Sequence, residues 1–147
     1  MYPAHVDDKG RIKLPKDFQE YFADLGEKKF FITSLDACIG SIYTLPLWRH
    51  NLQVLADYTE DAEAAEDIGF LADDLGGQVE IDSQGRLLVP AEMRRELGLE
   101  NQAIRLRAVG ERVDILGDKV YAERRVRSHD KGANAAKLAK LKKVGLK

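Results

Sequence analysis

Two Asp–Arg pairs at one spacing are the side chains of this chain best suited to recognition chemistry: Asp7 with Arg11, and Asp82 with Arg86. Each Arg is preceded by glycine, Gly10 or Gly85. Glycine takes the positive φ that a tight turn needs, and Asp bonds locally to turn backbone. A turn folds the chain back, so carboxylate and guanidinium can meet. A carboxylate beside a guanidinium holds the planar fork in one orientation. A held fork suits two-point contact with a phosphate or a guanine edge. The turn tips carry Lys9 and Gln84, both hydrogen-bond donors. Gly10 and Gly85 lack a Cβ, so another backbone can come close. An Asp–Arg pair around a turn can equally be only a surface ion pair, worth about 0–1 kcal/mol.

The recurrence weighs against that plainer account. Residues 7–15 read DDKGRIKLP and residues 82–90 read DSQGRLLVP. Asp, Gly, Arg and Pro stay in step at an offset of 75, and Phe18 and Phe22 meet Met93 and Leu97 at the same offset. Such self-similarity means one small folding unit built twice. Half of 147 residues barely suffices to bury a core, so the halves are expected to pack on each other or on other subunits. The expected organisation is a first repeat at 1–56, a bridging helix at 57–77, a second repeat at 78–127 and a basic, disordered tail at 128–147.

The elements that must position the pairs follow from local pattern. Each repeat opens with a short strand, at 4–7 and 79–82, then the turn, then a second strand at 11–14 and 86–89. Ile12 and Leu14 alternate with Arg11 and Lys13, which predicts one apolar and one wet face. Leu87-Leu88-Val89 is apolar throughout, which predicts burial on both faces. Pro15 and Pro90 suit the first helical position, and Gly26 and Gly98 suit helix stops. Phe18, Tyr21, Phe22 and Leu25 form one stripe; Met93 and Leu97 repeat it, with Arg94 and Arg95 outside. Two further strands follow in each half, at 29–33 and 39–44, then at 103–108 and 112–116, with Ile42 matching Val113. Pro46 starts a helix with Trp48, Leu52 and Leu55 on one face, and Gly117-Asp118 starts its counterpart. A bridging helix capped by Thr59 carries Ala64, Ile68, Leu71 and Leu75 and occurs once.

Charge is strongly segregated beneath a net of −2. Residues 57–82 hold ten acids and no Lys or Arg; residues 119–147 hold ten bases against Glu123 and Asp130. This permits head-to-tail contact between copies, and equally describes a solvated helix and a loose tail.

Catalysis finds little to stand on. His5, His50 and His129 are scattered without metal-ligand spacing. Ser34 and Ser41 lie in no nucleophile pattern. Cys38 has no evident partner and is expected to be a small buried thiol. No catalytic residue, metal, cofactor or small-molecule ligand is expected. No stretch approaches the ~20 apolar residues that cross a bilayer, residues 1–15 do not read as a signal peptide, and a single cysteine suits a reducing cytoplasm.

The string Asp-x-x-Gly-Arg-(apolar)-x-(apolar)-Pro followed by a short helix resembles the AbrB/SpoVT swapped-hairpin fold. Two copies with an acidic helix between them, over residues 4 to about 127, resemble the MraZ family of bacterial regulators. The resemblance implies an α+β, mostly β fold of two tandem swapped-hairpin β-barrel repeats. It implies a homo-oligomeric ring that binds double-stranded DNA at short direct repeats upstream of a division and cell-wall gene cluster. It places the protein in the cytoplasm, at the nucleoid. By position, the DNA-facing residues would be Lys9, Arg11, Lys13, Gln84 and Arg86, with Asp7, Gly10, Asp82 and Gly85 as their structural partners. Leu88 stands opposite Lys13 in the repeat. A second reading is an antitoxin-like module of the same fold whose main partner is a protein toxin. Toxin-wrapping tails of that class tend to be acidic, whereas this tail is basic and short and the module is doubled.

Overall fold

The structure is a computed structural model that describes residues 1–147. The first half runs β1 (Tyr2–His5), β2 (Arg11–Lys13), α1 (Lys16–Asp24), β3 (Lys29–Thr33), β4 (Gly40–Thr44), α2 (Leu45–Asp57) and α3 (Ala62–Leu75). The second half repeats that order: β5 (Gly77–Glu80), β6 (Arg86–Leu88), α4 (Ala91–Glu96), β7 (Ala103–Val109), β8 (Arg112–Gly117), α5 (Asp118–Ser128) and α6 (Lys131–Lys143).

Each turn is closed by one backbone bond, Asp7 N–H to Arg11 O and Asp82 N–H to Arg86 O, but the strands it joins do not run on as a hairpin ladder with each other. Between β1 and β2 only Val6 bridges Ile12, whereas β3 and β4 of the same copy pair antiparallel. β1 instead pairs antiparallel with β7 of the second copy, and β5 pairs antiparallel with β3 of the first. The result is a six-stranded sheet ordered β1-β7-β8-β4-β3-β5, beside a two-stranded ribbon of β2 and β6. Repeat counterparts meet at the centre of both: Ile42 lies opposite Val113, and Ile12 opposite Leu87. A pseudo-two-fold axis therefore passes between these pairs. The α+β architecture follows from two copies exchanging strands within one chain.

The core explains the exchange. One cluster of 17 buried residues joins Val6, Ile12, Leu14 and Phe22 of the first copy to Leu87, Val89, Met93 and Leu99 of the second, over sheet residues such as Ile32, Ile42, Leu106 and Ile115. A unit of this size gains too little from burial alone, and interlocking lets each copy cover apolar side chains of the other. Phe22 packs against Phe30 at 4.6 Å between ring centroids.

Helix ends follow the glycines. Glu27 N–H donates to Phe22 O at 3.0 Å, and Leu99 N–H to Arg94 O at 2.8 Å, the long bond of a Schellman stop in each copy. Pro15 and Pro90 are the capping residues themselves, one position earlier than expected, with extended ψ of 146° and 140°.

Several expectations are corrected. The opening strands lie two residues earlier than the pattern implied, because the Asp turn claims the residues through Asp7 and Asp82. Tyr21 and Leu25 are 45% and 49% exposed: α1 is short and only Phe18 and Phe22 reach the core. Cys38 is exposed in the loop that Asp36 organises. Asp61, not Thr59, caps α3, accepting from Ala64 N–H at 3.0 Å. Of the α3 stripe only Leu75 is buried, Leu71 is half-buried, and Ala64 and Ile68 are exposed; Ala72, outside that stripe, is the other residue of α3 that reaches the core. The tail is not irregular: residues 131–143 form α6, capped by Asp130 accepting from Ala133 N–H at 3.0 Å. The α2–α3 pair thus has a counterpart in α5–α6, and the bridging helix is not unique. α6 buries no residue, so its helicity comes from Ala, Leu and Lys, all strong helix formers.

Candidate nucleic-acid interface

The Asp of each turn is the hub of its local structure. Asp7 Oδ1 accepts from the backbone N–H of Lys9 and of Arg11, both at 2.9 Å, and Oδ2 accepts from Arg11 Nε at 3.0 Å. Asp82 does the same with Gln84 and Arg86 at 2.9 Å, and with Arg86 Nε at 2.8 Å. Around them Asp7 N–H donates to Arg11 O at 2.9 Å and Gly10 N–H to Asp7 O at 3.0 Å; the second turn repeats both bonds. The backbone N–H of Arg11 holds the Asp7 carboxyl below its ordinary 3.8, against the opposing effect of desolvation and aided by the Arg11 side chain. Asp82 is lowered in the same way by Arg86. These carboxylates are turn organisers that also aim a guanidinium. Only Nε of each Arg is engaged, which leaves both Nη groups of each fork for a ligand.

Glycine is required at both tips. Gly10 has φ of +83° and Gly85 of +74°. Each also lies under a side chain of the other copy: a Cβ at Gly10 would collide with the Arg94 guanidinium, and one at Gly85 with the Gln19 amide. Gln19 and Arg94 are themselves repeat counterparts. Gln19 Nε2 donates to Leu14 O at 2.7 Å, and Arg94 donates to Val89 O, the equivalent carbonyl. Arg94 is therefore not the outward residue its helical position suggested; its side chain is 16% exposed and seals a turn. The sequence reading missed both as positioning residues. The signal available was their match at the offset of 75.

The ribbon gathers the predicted residues. Ile12 and Leu87 point into the core at 0% exposure. Strand alternation then puts Arg11, Lys13, Arg86 and Leu88 on the opposite, solvent face. Arg11 lies across from Leu88, and Lys13 across from Arg86. Leu88 is 51% exposed, which corrects the expectation of burial on both faces: a ribbon packed on one side has no second core. The arginines occupy one diagonal, about 7–8 Å apart. Gly10 faces Val89 and Gly85 faces Leu14 through ladder bonds of 2.9 and 3.0 Å. The two turn glycines thus stand about 13 Å apart along the ribbon, at ~3.3 Å per residue, with exposed Lys9 and Gln84 further out at either end. The Lys13 ammonium donates to Gln84 O and ties one hairpin to the tip of the other.

Elsewhere, no three His, Cys, Asp or Glu converge as a metal site would require. No helix is long and apolar enough to cross a membrane. A second basic cluster lies under α5, where Arg107, Arg112, Arg124, Arg125 and His129 line a cavity of about 520 Å³. Arg112 is anchored there by Asp114, at 2.9 Å, which also accepts from Ser41 at 2.8 Å.

No family model matches the chain. It is similar to proteins named transcriptional regulator MraZ. The one from a Thermoanaerobacter species is 35% identical over 128 residues, covering 84% of this chain and 82% of that relative. The one from Desulfitobacterium hafniense is 31% identical over 138 residues, 92% and 91% of the two chains. With the Acidobacterium capsulatum protein, 38% identity extends over 93 residues, and there the match spans 64% of the relative's length. With two interlocked Asp-turn units and sequence likeness along nearly the whole chain, this protein belongs to the MraZ family of transcriptional regulators.

Proposed function

We propose that this protein binds double-stranded DNA through the solvent face of the β2–β6 ribbon, and regulates transcription as a ring of identical subunits. Its sites would be short direct repeats upstream of a division and cell-wall gene cluster, and its place the cytoplasm, at the nucleoid. The observation that carries the reading is the ribbon face itself. It sets Lys13 directly opposite Arg86 and adds Arg11 and the tip Lys9. Like charges facing each other across a strand pair are unfavourable, and a polyanion relieves that cost. A two-stranded ribbon enters a major groove about 12 Å wide. The guanidinium diagonal spans about two base-pair steps of 3.4 Å. Gln84 at the second tip supplies a neutral donor, so the two hairpins contribute unequally.

One ribbon neutralises few phosphates, and each contributes only about −0.9 to the salt slope. A ring repeats the face at fixed spacing, and linked sites gain about 10²–10⁴ in avidity. Charge segregation supports such self-assembly: acidic α3 and the basic α5–α6 pair belong to opposite halves, and the Arg-lined cavity under α5 offers an acidic segment a seat. Unlike surfaces that join head to tail close into rings when the rotation permits.

The test is Arg11→Ala combined with Arg86→Ala. Operator binding, measured by mobility shift on DNA from upstream of the protein's own gene, is expected to be lost, with oligomer size by light scattering unchanged. Unfolding or dissociation of the variant would make the arginines structural and remove the DNA assignment.

A further inference from the structure

Leu88 stands where the repeat places a cation. Of the four outward residues of the ribbon, Arg11 and Arg86 match, but Lys13 is matched by Leu88. The ladder bonds run through Gly10–Val89 and Leu14–Gly85. Arg11–Leu88 and Lys13–Arg86 are therefore non-hydrogen-bonded pairs, the kind whose side chains stand closest. Leu88 is thus seated against Arg11 on a face that is otherwise cationic, and it is 51% exposed. A surface leucine alone means nothing. This one occupies the outward strand position at which the two copies differ. Lys13 ties itself to Gln84 O; Leu88 has no donor to tie to the first tip.

On DNA the consequence is directional. Were the outward residues of the two copies alike, the pseudo-two-fold axis through Ile12 and Leu87 would make the ribbon read alike from either end. The Lys13–Leu88 difference breaks that equivalence on the strands themselves, as Lys9 and Gln84 do at the tips. Among base edges in the major groove, the apolar group is the thymine 5-methyl. We infer that Leu88 is a specificity residue that packs on the 5-methyl of a thymine adjacent to the group Arg11 engages, and so orients the ribbon on its site. The inference rests on the DNA-binding reading above. An oriented contact suits head-to-tail repeats and penalises inverted ones.

The experiment uses the full-length protein and duplexes from upstream of its own gene, with thymines replaced one at a time by deoxyuridine, which removes only the methyl. At one position per engaged repeat the wild type is expected to bind about fourfold more weakly, the worth of one buried methyl-sized group. Leu88→Ala is expected to bind the thymine duplex more weakly by a similar factor and to be indifferent to deoxyuridine at that position. Leu88→Lys, which restores the repeat, is expected to keep affinity and lose the methyl preference. Circular dichroism checks that these surface variants remain folded. Equal binding of thymine and deoxyuridine duplexes by the wild type at every position overturns the inference, as does full methyl sensitivity in Leu88→Ala. Failure of the wild type to shift any thymine duplex at low salt overturns the DNA reading, and this inference with it.

Discussion

Asp7 and Asp82 each join a backbone turn to a guanidinium, and removing the charge uncouples the two. Asn in their place keeps an oxygen for the turn N–H groups but weakens the hold on Arg Nε. The double variant Asp7→Asn with Asp82→Asn is expected to bind DNA more weakly while keeping its secondary structure, as mobility shift and circular dichroism would read. The pH dependence follows from the same bonds. Both carboxyls titrate below their ordinary 3.8 in the folded chain. Their stabilisation is fully present above that value and is lost as pH falls through the folded one. Urea titrations should therefore show the wild type exceeding the double Asn variant by a constant margin at neutral and mildly acid pH. That margin should shrink only below the ordinary carboxylate range. A margin that vanished near pH 6 would point to a histidine instead, since unperturbed imidazole titrates near 6.5.

At the scale of elements, each turn is finished by a helix of the other copy. Arg94 from α4 lies over Gly10, and Gln19 from α1 lies over Gly85. The turn tips are thereby stiffened before any ligand arrives, which reduces the ordering cost of binding. Gly10→Ala must hold alanine at φ of +83° and displace Arg94. The left-handed conformation alone costs about 1–2 kcal/mol, so thermal unfolding should show at least that loss. An unchanged midpoint would mean that the turn relaxes and Arg94 does not seal it. The turn, its glycine and the following helix were all legible in residues 7–26 and 82–98, because they depend on local backbone chemistry. The role of Arg94 was not legible, because it acts on a turn 84 residues earlier in the chain.

The whole molecule is one interlocked body. β1 has its sheet partner in β7 and β5 in β3, and the core cluster draws on both copies. A chain cut between Gly76 and Gly77 should therefore yield halves that are unfolded alone and regain the native far-UV spectrum when mixed. A half that folds by itself, with a cooperative unfolding transition, would contradict the shared core. The same interlocking brings Arg11 and Arg86 onto one face, although they are far apart in sequence and belong to different copies.

The amino-acid order alone determined the duplication, the Asp-turn-Arg units, most strand and helix positions and the charge polarity, because each is written in residue types within a few turns of chain. Tertiary structure decided which strands pair, and with it everything on the ribbon face. Leu88 shows the difference: three apolar residues in a row predict burial on both sides, but β6 packs its inner face only. A strand buried on both faces and a one-sided ribbon can carry the same run of residues; what separates them is whether a second layer covers the outer face, and no local pattern encodes a missing layer. Helix α6 makes the converse point, since composition rich in Lys and Ala reads alike for a frayed tail and for an exposed helix until a cap such as Asp130 settles the first turn.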